Sequence, residues 1–469
     1  MDRFIFVLGS NWQLALAELD NYLKYSQHKG KIIDYSANIA VVEFEELHKK
    51  QYYINDLMKI QFTLGGCQKI GKIFNFIDIQ TILNAFPFNI EKYKEVERTR
   101  KEIINIIDKL LIGKEQIFPK IYESMFYCIS IYPNLYDDEY YPKVLVKHFL
   151  PFLNKSLMEI LKEKGATKAL YYKYPEKNLK SGNLNPIFPH VVIKYDLLTE
   201  NRAEIIFGFT EEGVYVARTF TVDNPNFKKK IDEERPYKEF KSSIPPKLAL
   251  IMLNFLNLFE NREHMKILDP FLGNGTIMLF ALVQDFQIYG SDIDEIKVKN
   301  SKRNFNWLLE ELEEDVPLFV NERIFIANVE EISTRFEKNF FDGICTEPEL
   351  GPFFLEKPYY LQAKEIIYTK LEPLYNRFFR ESYKLLKDTG RICFIAPIIS
   401  TMDGSDIQLN IEKIAMENGF SQVPVIDSNR FFNKSNPKLH FLKNPHKALI
   451  DAKKGQVIKR KIFVFEKKS

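Results

Sequence analysis

The chain has 469 residues, 45% hydrophobic and 14% aromatic, with 40 Phe and 24 Tyr; this describes a folded protein with cores for about three domains and excludes a disordered one. The net charge of +3 does not by itself announce a nucleic-acid binder. No apolar run approaches the roughly 18 residues of a membrane span, so no membrane-crossing helix is expected.

The opening Met-Asp-Arg-Phe-Ile-Phe-Val-Leu-Gly has too short an apolar run, and no small-residue cleavage site, for a signal peptide. Residues 4–8 read as a strand. Trp12, Leu16, Leu19 and Leu23 then form one apolar stripe of a helix, and 31–43 reads as a hairpin-like pair, giving a small α+β module over 1–65. A second α+β block follows over 66–222, with helices near 90–112 and 144–164 and strands at 125–131, 169–174, 205–209 and 214–217. Within it, the lysine-rich stretch 143–180 is interleaved with Tyr171, Tyr172 and Tyr174. Lysines with aromatics can track phosphates, which makes Lys168 and Lys173 candidate RNA contacts; the plain alternative is a solvated helix face. The polar segment 223–243, rich in Lys, Glu and Pro, reads as a linker.

From 244 to 469 the text turns to strand–helix alternation, the sign of a parallel sheet covered by helices. Pro245 and Pro246 open a helix over 247–259. Residues 266–276, Lys-Ile-Leu-Asp-Pro-Phe-Leu-Gly-Asn-Gly-Thr, read as strand, tight glycine turn and helix, the order that brings backbone N–H groups to a cofactor. A dinucleotide fingerprint needs three glycines; here only Gly273 and Gly275 are present. A second strand over 287–292 ends at Asp292, 17 residues beyond Gly275, where a nucleoside cofactor finds a carboxylate for its ribose hydroxyls. Asp294 is assigned instead to capping the helix 295–309. A third strand is read over 322–329, a fourth over 341–345 and a fifth over 392–396. The helix 371–386 lies before the fifth, with Gly390 as its end signal. After a helix over 407–418, strands at 423–426 and 457–465 complete seven, the last two as an antiparallel closing pair. Cys67, Cys128, Cys345 and Cys393 stand far apart without a C-x-x-C, as reduced core residues of a cytoplasmic protein. Seven scattered histidines predict no metal site.

The Asp-Pro-Phe before the glycines resembles the first motif of S-adenosylmethionine-dependent methyltransferases acting on exocyclic amines of nucleobases. With Arg218–Val222, Lys241–Ala249 and Asp269–Thr276 taken together, the chain resembles the THUMP-containing tRNA guanine-N2 methyltransferases that modify position 10. Leu272 and Asn274 stand where that family usually has Cys and Ser. The resemblance implies a Rossmann-like α/β catalytic domain preceded by ferredoxin-like and THUMP-like modules. It also implies tRNA as partner and S-adenosylmethionine held by Asp269, Phe271, Gly273, Gly275, Thr276, Asp292, Ile293 and Asn328. Asn328 stands where such enzymes often have the Asp that holds the adenine amine.

The family's reaction motif, Asp-Pro-Pro-Tyr or a relative, is replaced here by Glu347-Pro348-Glu349-Leu350. An exocyclic amine is a poor nucleophile until acceptors orient its hydrogens and turn its lone pair to the methyl group. Glu347 and the Pro348 carbonyl are the catalytic candidates for that task. Leu350 takes the aromatic position against the base, and Phe353, Phe354, Tyr359 or Tyr360 downstream are the candidate rings. The expected activity is methyl transfer to a guanine N2 of tRNA by a monomer, with an auxiliary subunit left open. The alternatives are a DNA amino-methyltransferase acting on adenine or cytosine, and an RNA-binding pseudoenzyme.

Overall fold

The computed structural model describes residues 3–47, 53–87, 93–134, 141–181, 186–239, 243–313, 319–426, 434–440, 448–453 and 455–468. Two sheets organise it. The first contains β1 (Arg3–Leu8), β2 (Gly30–Tyr35), β3 (Ile39–Phe44), β4 (Cys67–Asp78), β5 (Ser124–Tyr132), β6 (Lys168–Tyr171), β7 (Arg202–Phe209) and β8 (Gly213–Val222). Their order is β2-β3-β1-β4-β8-β7-β5-β6. β1 pairs antiparallel with both β3 and β4, so strands on either side of residue 65 share one sheet. The lysine-rich stretch divides by side chain. Lys168 and Lys173 are exposed, on and just after the edge strand β6, whereas Tyr174 is buried and donates to the Ile129 carbonyl at 2.6 Å. Tyr171 and Tyr172 pack on the same core.

β4 has no counterpart in the sequence reading. Its text, Cys-Gln-Lys-Ile-Gly-Lys-Ile, breaks apolar alternation because Lys69 is a core residue, 0% exposed. Lys69 Nζ lies 2.5 Å from Glu204 Oε1 and 3.1 Å from the Tyr132 hydroxyl, and it also donates to the Ile187 carbonyl. Ser130 and Thr219 hydroxyls donate to the same carboxylate at 2.5 Å. The helix Tyr53–Thr63 was likewise not foreseen. The helix expected over 144–164 is Leu150–Glu163, preceded by a π-helical Tyr141–Phe149; Pro151 supplies no N–H to the regular ladder.

The second sheet contains β9 (Lys266–Asp269), β10 (Gln287–Asp292), β11 (Ile324–Ile326), β12 (Phe341–Thr346), β13 (Leu386–Ser400), β14 (Asp406–Ile407), β15 (Phe420–Val423), β16 (Ala448–Asp451) and β17 (Ile458–Lys467). Its main path is β11-β10-β9-β12-β13-β17-β15. β9 to β13 pair in parallel and β17 runs antiparallel to β13 and β15. This is the seven-strand α/β arrangement of Rossmann-like methyltransferases, extended by the short β14 and β16. Strand order reverses between β9 and β12, and in such sheets ligands bind outside the carboxyl ends of the strands at that switch point.

Several expectations shift here. The sixth strand is Phe420–Val423, not 423–426, because Gly419 at φ +87° turns the chain straight into it. Gly390 lies inside β13 rather than closing a helix, since the Glu372–Leu385 helix ends on Leu386 in an extended conformation. The helix expected over 247–259 stops at Asn254, and the third strand stops at Ile326, two residues short of Asn328. The polar 223–243 segment carries the helix Pro225–Lys229 and is fastened down: Tyr237 N donates to Asn304 Oδ1 at 2.9 Å, and Asn304 Nδ2 donates to the Tyr237 carbonyl at 2.8 Å.

The halves meet over a continuous apolar core that joins Leu14, Leu16 and Leu64 to Leu250, Ile251 and Leu253. At its centre Glu18, 1% exposed, accepts from Gly65 N at 2.8 Å, Gly66 N at 2.7 Å and Asn254 Nδ2 at 2.6 Å. A Cβ on Gly65 would lie 2.4 Å from the Lys247 carbonyl, so glycine is what lets these segments touch. Among the described residues no helix is long and apolar enough to cross a membrane.

Candidate functional site

Two strand ends, β9 and β12, flank the switch point. Beyond β9 the chain makes a turn that only glycine adopts without strain: Gly273 has φ +54° and Gly275 φ +85°, in the left-handed region. Gly275 N donates to the Leu272 carbonyl at 2.9 Å and leads into the helix Thr276–Val283. The turn is held from three sides. Asp292 Oδ2 accepts from Gly273 N at 2.9 Å, Leu272 N donates to the Ser291 carbonyl at 2.9 Å, and Asn304 Nδ2 donates to the Asn274 carbonyl at 2.9 Å.

The turn has the features of a cradle. A Cβ built on Gly273 would meet nothing within 4 Å, so its outer face is open. Asn274 Oδ1 and Ser291 Oγ are buried without a hydrogen-bond partner, which buried polar groups normally have. Past Asp292, Ile293 is 71% exposed, an apolar surface at a strand end beside a carboxylate. These residues fit a nucleoside whose sugar hydroxyls face Asp292 and whose base lies on an apolar wall.

The other expected cofactor residues lie around this turn in different ways. Asp269 is buried; its Oδ1 accepts from Thr346 Oγ1 at 2.6 Å and from Phe271 N at 3.1 Å. Burial pushes its carboxyl up to about 7, opposed by those two donors, while Asp292 and Glu347 add to the rise. Asp269 thus ties β9 to β12 through the residue just before Glu347. The Phe271 ring packs into the core, 5.9 Å from Phe378. Thr276 Oγ1 lies 3.3 Å from Ser243 Oγ. Asn328 sits in the turn after β11, its side chain accepting from Glu330 N at 3.2 Å. Asp294 caps its helix, accepting from Ile296 N at 2.8 Å.

At the end of β12, Pro348 is buried and the Glu349 carbonyl accepts from the buried Tyr375 hydroxyl at 2.7 Å. Glu347 is not free-standing: Arg460 Nε lies 2.5 Å from its Oε1 and Arg460 Nη2 3.5 Å from its Oε2. Burial raises the Glu347 carboxyl above its ordinary range, Arg460 works against that rise, and Asp451 adds to it. Leu350 packs against the core, and Phe354 is half-buried on another core face. Phe353 and Tyr359 are 64% and 70% exposed on the segment after the motif. Lys168 and Lys173 lie on and just after the edge strand of the other sheet and are not among this cluster. Among the described residues no group of His, Cys, Asp and Glu is arranged to hold a metal.

Sequence reasoning missed three residues. Thr346 and Asn304 had a weak signal, standing next to the motif and on the capped helix. Arg460 had none: only the antiparallel return of β17 brings it to a residue 113 positions away.

No protein-family model matches the chain. It is 25% identical over 175 residues to the tRNA (guanine(10)-N2)-dimethyltransferase of Pyrococcus abyssi, covering 37% of this chain and 44% of that protein. It is 27% identical over 174 residues to the tRNA (guanine(10)-N2)-dimethyltransferase of Methanothermobacter thermautotrophicus, covering 36% and 44%. The chain therefore spans less than half the length of these curated relatives. The crystal structure of TrmN from Thermus thermophilus aligns over the whole of both chains with a TM-score of 0.50 at 13% identity, a likeness of fold. The chain has the Rossmann-like methyltransferase architecture and is similar, over part of its length, to tRNA methyltransferases.

Proposed function

We propose that this protein transfers a methyl group from S-adenosylmethionine to the exocyclic N2 amine of a guanine in tRNA. The observation that carries the reading is the juxtaposition at the switch point: an open glycine cradle after β9 and a Glu-Pro pair after β12, fastened together by the 2.6 Å Thr346–Asp269 hydrogen bond. The similarity to tRNA (guanine(10)-N2)-dimethyltransferases supports the choice of amine and of tRNA.

In this reading the 270–276 backbone and Asp292 hold the cofactor, with Ile293 against its base. When bound, S-adenosylmethionine supplies an electrophilic methyl group, whose C–S bonding pair stays on sulfur as the amine nitrogen takes the carbon. The protein's part is orientation. One oxygen of Glu347 and the Pro348 carbonyl accept the two amine hydrogens, so that the lone pair points at the methyl carbon. Glu347 then takes the proton that nitrogen gives up. An exposed ring, Phe353 or Tyr359, stacks on the extruded base. The N-terminal sheet, divided at about residue 65 into ferredoxin-like and THUMP-like parts with the 223–243 segment as connection to the catalytic domain, carries the tRNA, and Lys168 and Lys173 meet its phosphates.

A second reading has one observation in its favour. With Glu347 engaged by Arg460 and Leu350 in the aromatic position, the domain could serve as a scaffold that binds RNA and transfers nothing. Incubation with labelled S-adenosylmethionine and either unmodified tRNA or duplex DNA separates the readings. Label in guanine N2 of tRNA is expected; label in DNA alone, or in neither, overturns the proposal.

A further inference from the structure

Glu347 leaves β12 at its carboxyl end, and the group it meets comes from the far end of the chain. β17 runs antiparallel to β13 with Arg460 opposite Pro397, and β16 pairs with β17 so that Asp451 stands opposite Arg460. From that position the guanidinium reaches both carboxylate oxygens of Glu347, at 2.5 and 3.5 Å, with both side chains only 13% exposed. The neighbouring cations of β17 are spent elsewhere: Lys459 Nζ lies 2.7 Å from Asp406 Oδ2 and Lys461 Nζ 3.1 Å from Gln408 Oε1. Arg460 is thus the cation that β17 directs to the reaction motif.

We propose that Arg460 is the positioning residue of the transfer site, holding Glu347 ionised and oriented as the acceptor of the substrate amine's N–H. This rests on the function proposed above and names the device that makes a Glu-Pro motif workable. The short Nε contact, with Nη2 at longer range on the other oxygen, holds the carboxylate's charge and turns it towards the guanidinium. A carboxylate has about four lone-pair sites; one is filled by Arg460 Nε and a second is approached by Nη2 at 3.5 Å, so others remain for the amine. The balance of the step is simple. Nitrogen gains the methyl carbon, the C–S bond breaks with its electrons on sulfur, nitrogen loses one proton to Glu347, and the acid formed passes it to water. A protonated Glu347 cannot take that proton, so its charge before the step matters. Among the described residues the groups that bear on Glu347 are Arg460 on β17, Asp451 on β16, Asp269 at the end of β9, and Tyr375 on the helix Glu372–Leu385. Arg460 is the one cation among them.

The test uses the full chain labelled with 13C-carboxyl glutamate, the Glu347 signal being assigned by its loss in Glu347→Gln. It is titrated in wild type, Arg460→Ala and Arg460→Lys, and kcat is followed against pH on unmodified tRNA. In Arg460→Ala the Glu347 signal should titrate at higher pH and the acid limb of kcat should move the same way. Its kcat should fall on the order of 10²-fold, as expected for a misplaced acceptor, with KM for S-adenosylmethionine nearly unchanged. Arg460→Lys should return the limb towards wild type while kcat stays reduced, since a point charge replaces the fork. An unmoved Glu347 titration, or a loss of kcat with the limb in place, overturns the proposal. Should Arg460→Ala not fold, Asp451→Asn removes the opposing charge and should shift the titration to lower pH; no shift there is equally fatal. A wild-type chain that labels no nucleic acid removes the proposed function and the catalytic part of this assignment, whereas the titration still decides whether Arg460 sets the charge of Glu347.

Discussion

Two glutamate–cation pairs, Lys69–Glu204 in the first sheet and Arg460–Glu347 in the second, have the same length and serve opposite ends. Lys69–Glu204 lies inside the first sheet with both side chains 0% exposed, and three donors, Lys69, Ser130 and Thr219, close on the carboxylate. Arg460–Glu347 lies at the carboxyl edge of the second sheet, 13% exposed, beside an open turn. A buried pair walled in by donors from its own sheet fixes register and excludes water; removing one partner leaves a naked charge in the core. A pair at a strand end, with lone pairs to spare, can meet a third group. What separates a structural acid from a chemical one here is how many acceptor sites the protein itself has left unfilled.

The largest effects should come from truncating each acid. Glu347→Ala should reduce tRNA methylation by about 10²–10⁴-fold, the range for loss of a positioned proton acceptor, with the affinity for S-adenosylmethionine by calorimetry nearly intact. Glu204→Ala should do the reverse, lowering the unfolding free energy by about 3–5 kcal/mol in a urea titration and affecting turnover only through the amount of folded protein. Replacing the first pair together, as Lys69→Met with Glu204→Gln, should recover much of that loss. If Glu347→Ala instead destabilises the chain and leaves turnover per folded molecule alone, the contrast between the two acids is wrong.

How far this contrast could be read beforehand depends on the kind of order involved. The second sheet was legible because β9, β10, β12 and β13 are buried apolar runs alternating with helices, and because Asp269–Thr276 compresses strand, turn and helix into one local string. Asp294 as a cap was legible for the same reason. The β4 strand was not, because its buried Lys69 reads as polar until Glu204, 135 residues away, is folded against it. Arg460 was hidden likewise. Local geometry leaves a trace in spacing; a tertiary ion pair leaves none. The tyrosines of the lysine-rich stretch illustrate the converse, since Tyr174 reads as surface-compatible yet turns inward to the Ile129 carbonyl.

Smaller effects sharpen the comparison through pH. Asp269 and Glu18 are both buried acids whose carboxyls are pushed up to about 7 from ordinary values of 3.8 and 4.5. Their folded forms keep a proton that the unfolded chain has already released. Each therefore favours the folded state below about pH 4, and that advantage declines as pH rises from about 4 to about 7 and is flat above. The change is on the order of 2–4 kcal/mol for each site. Asp269→Asn, which keeps an oxygen for Thr346 Oγ1 and Phe271 N, and Glu18→Gln, which keeps one for Gly65 N and Asn254 Nδ2 and gives up the acceptor of Gly66 N, should each flatten the stability–pH curve measured by urea unfolding at pH 5 and pH 8. A slope unchanged in either variant means that the acid is ionised throughout.

The smallest effect belongs to the cradle itself and tests whether it is a ligand site or an ordinary turn. Gly273 sits at φ +54° with open space where a Cβ would project. Gly273→Ala therefore meets no clash in the free protein and costs only the left-handed backbone, about 1–2 kcal/mol. A cofactor lying on that face would meet the new methyl group directly, so its affinity should fall by more than the strain alone explains, roughly 10-fold or beyond. Gly404, also left-handed at φ +85° and with nothing near its Cβ position, lies in the turn between β13 and β14 and supplies the control: Gly404→Ala should cost similar stability and leave the affinity where it was. Equal binding of S-adenosylmethionine by the two variants would mean that the β9 turn is no more a cofactor site than the β13–β14 turn.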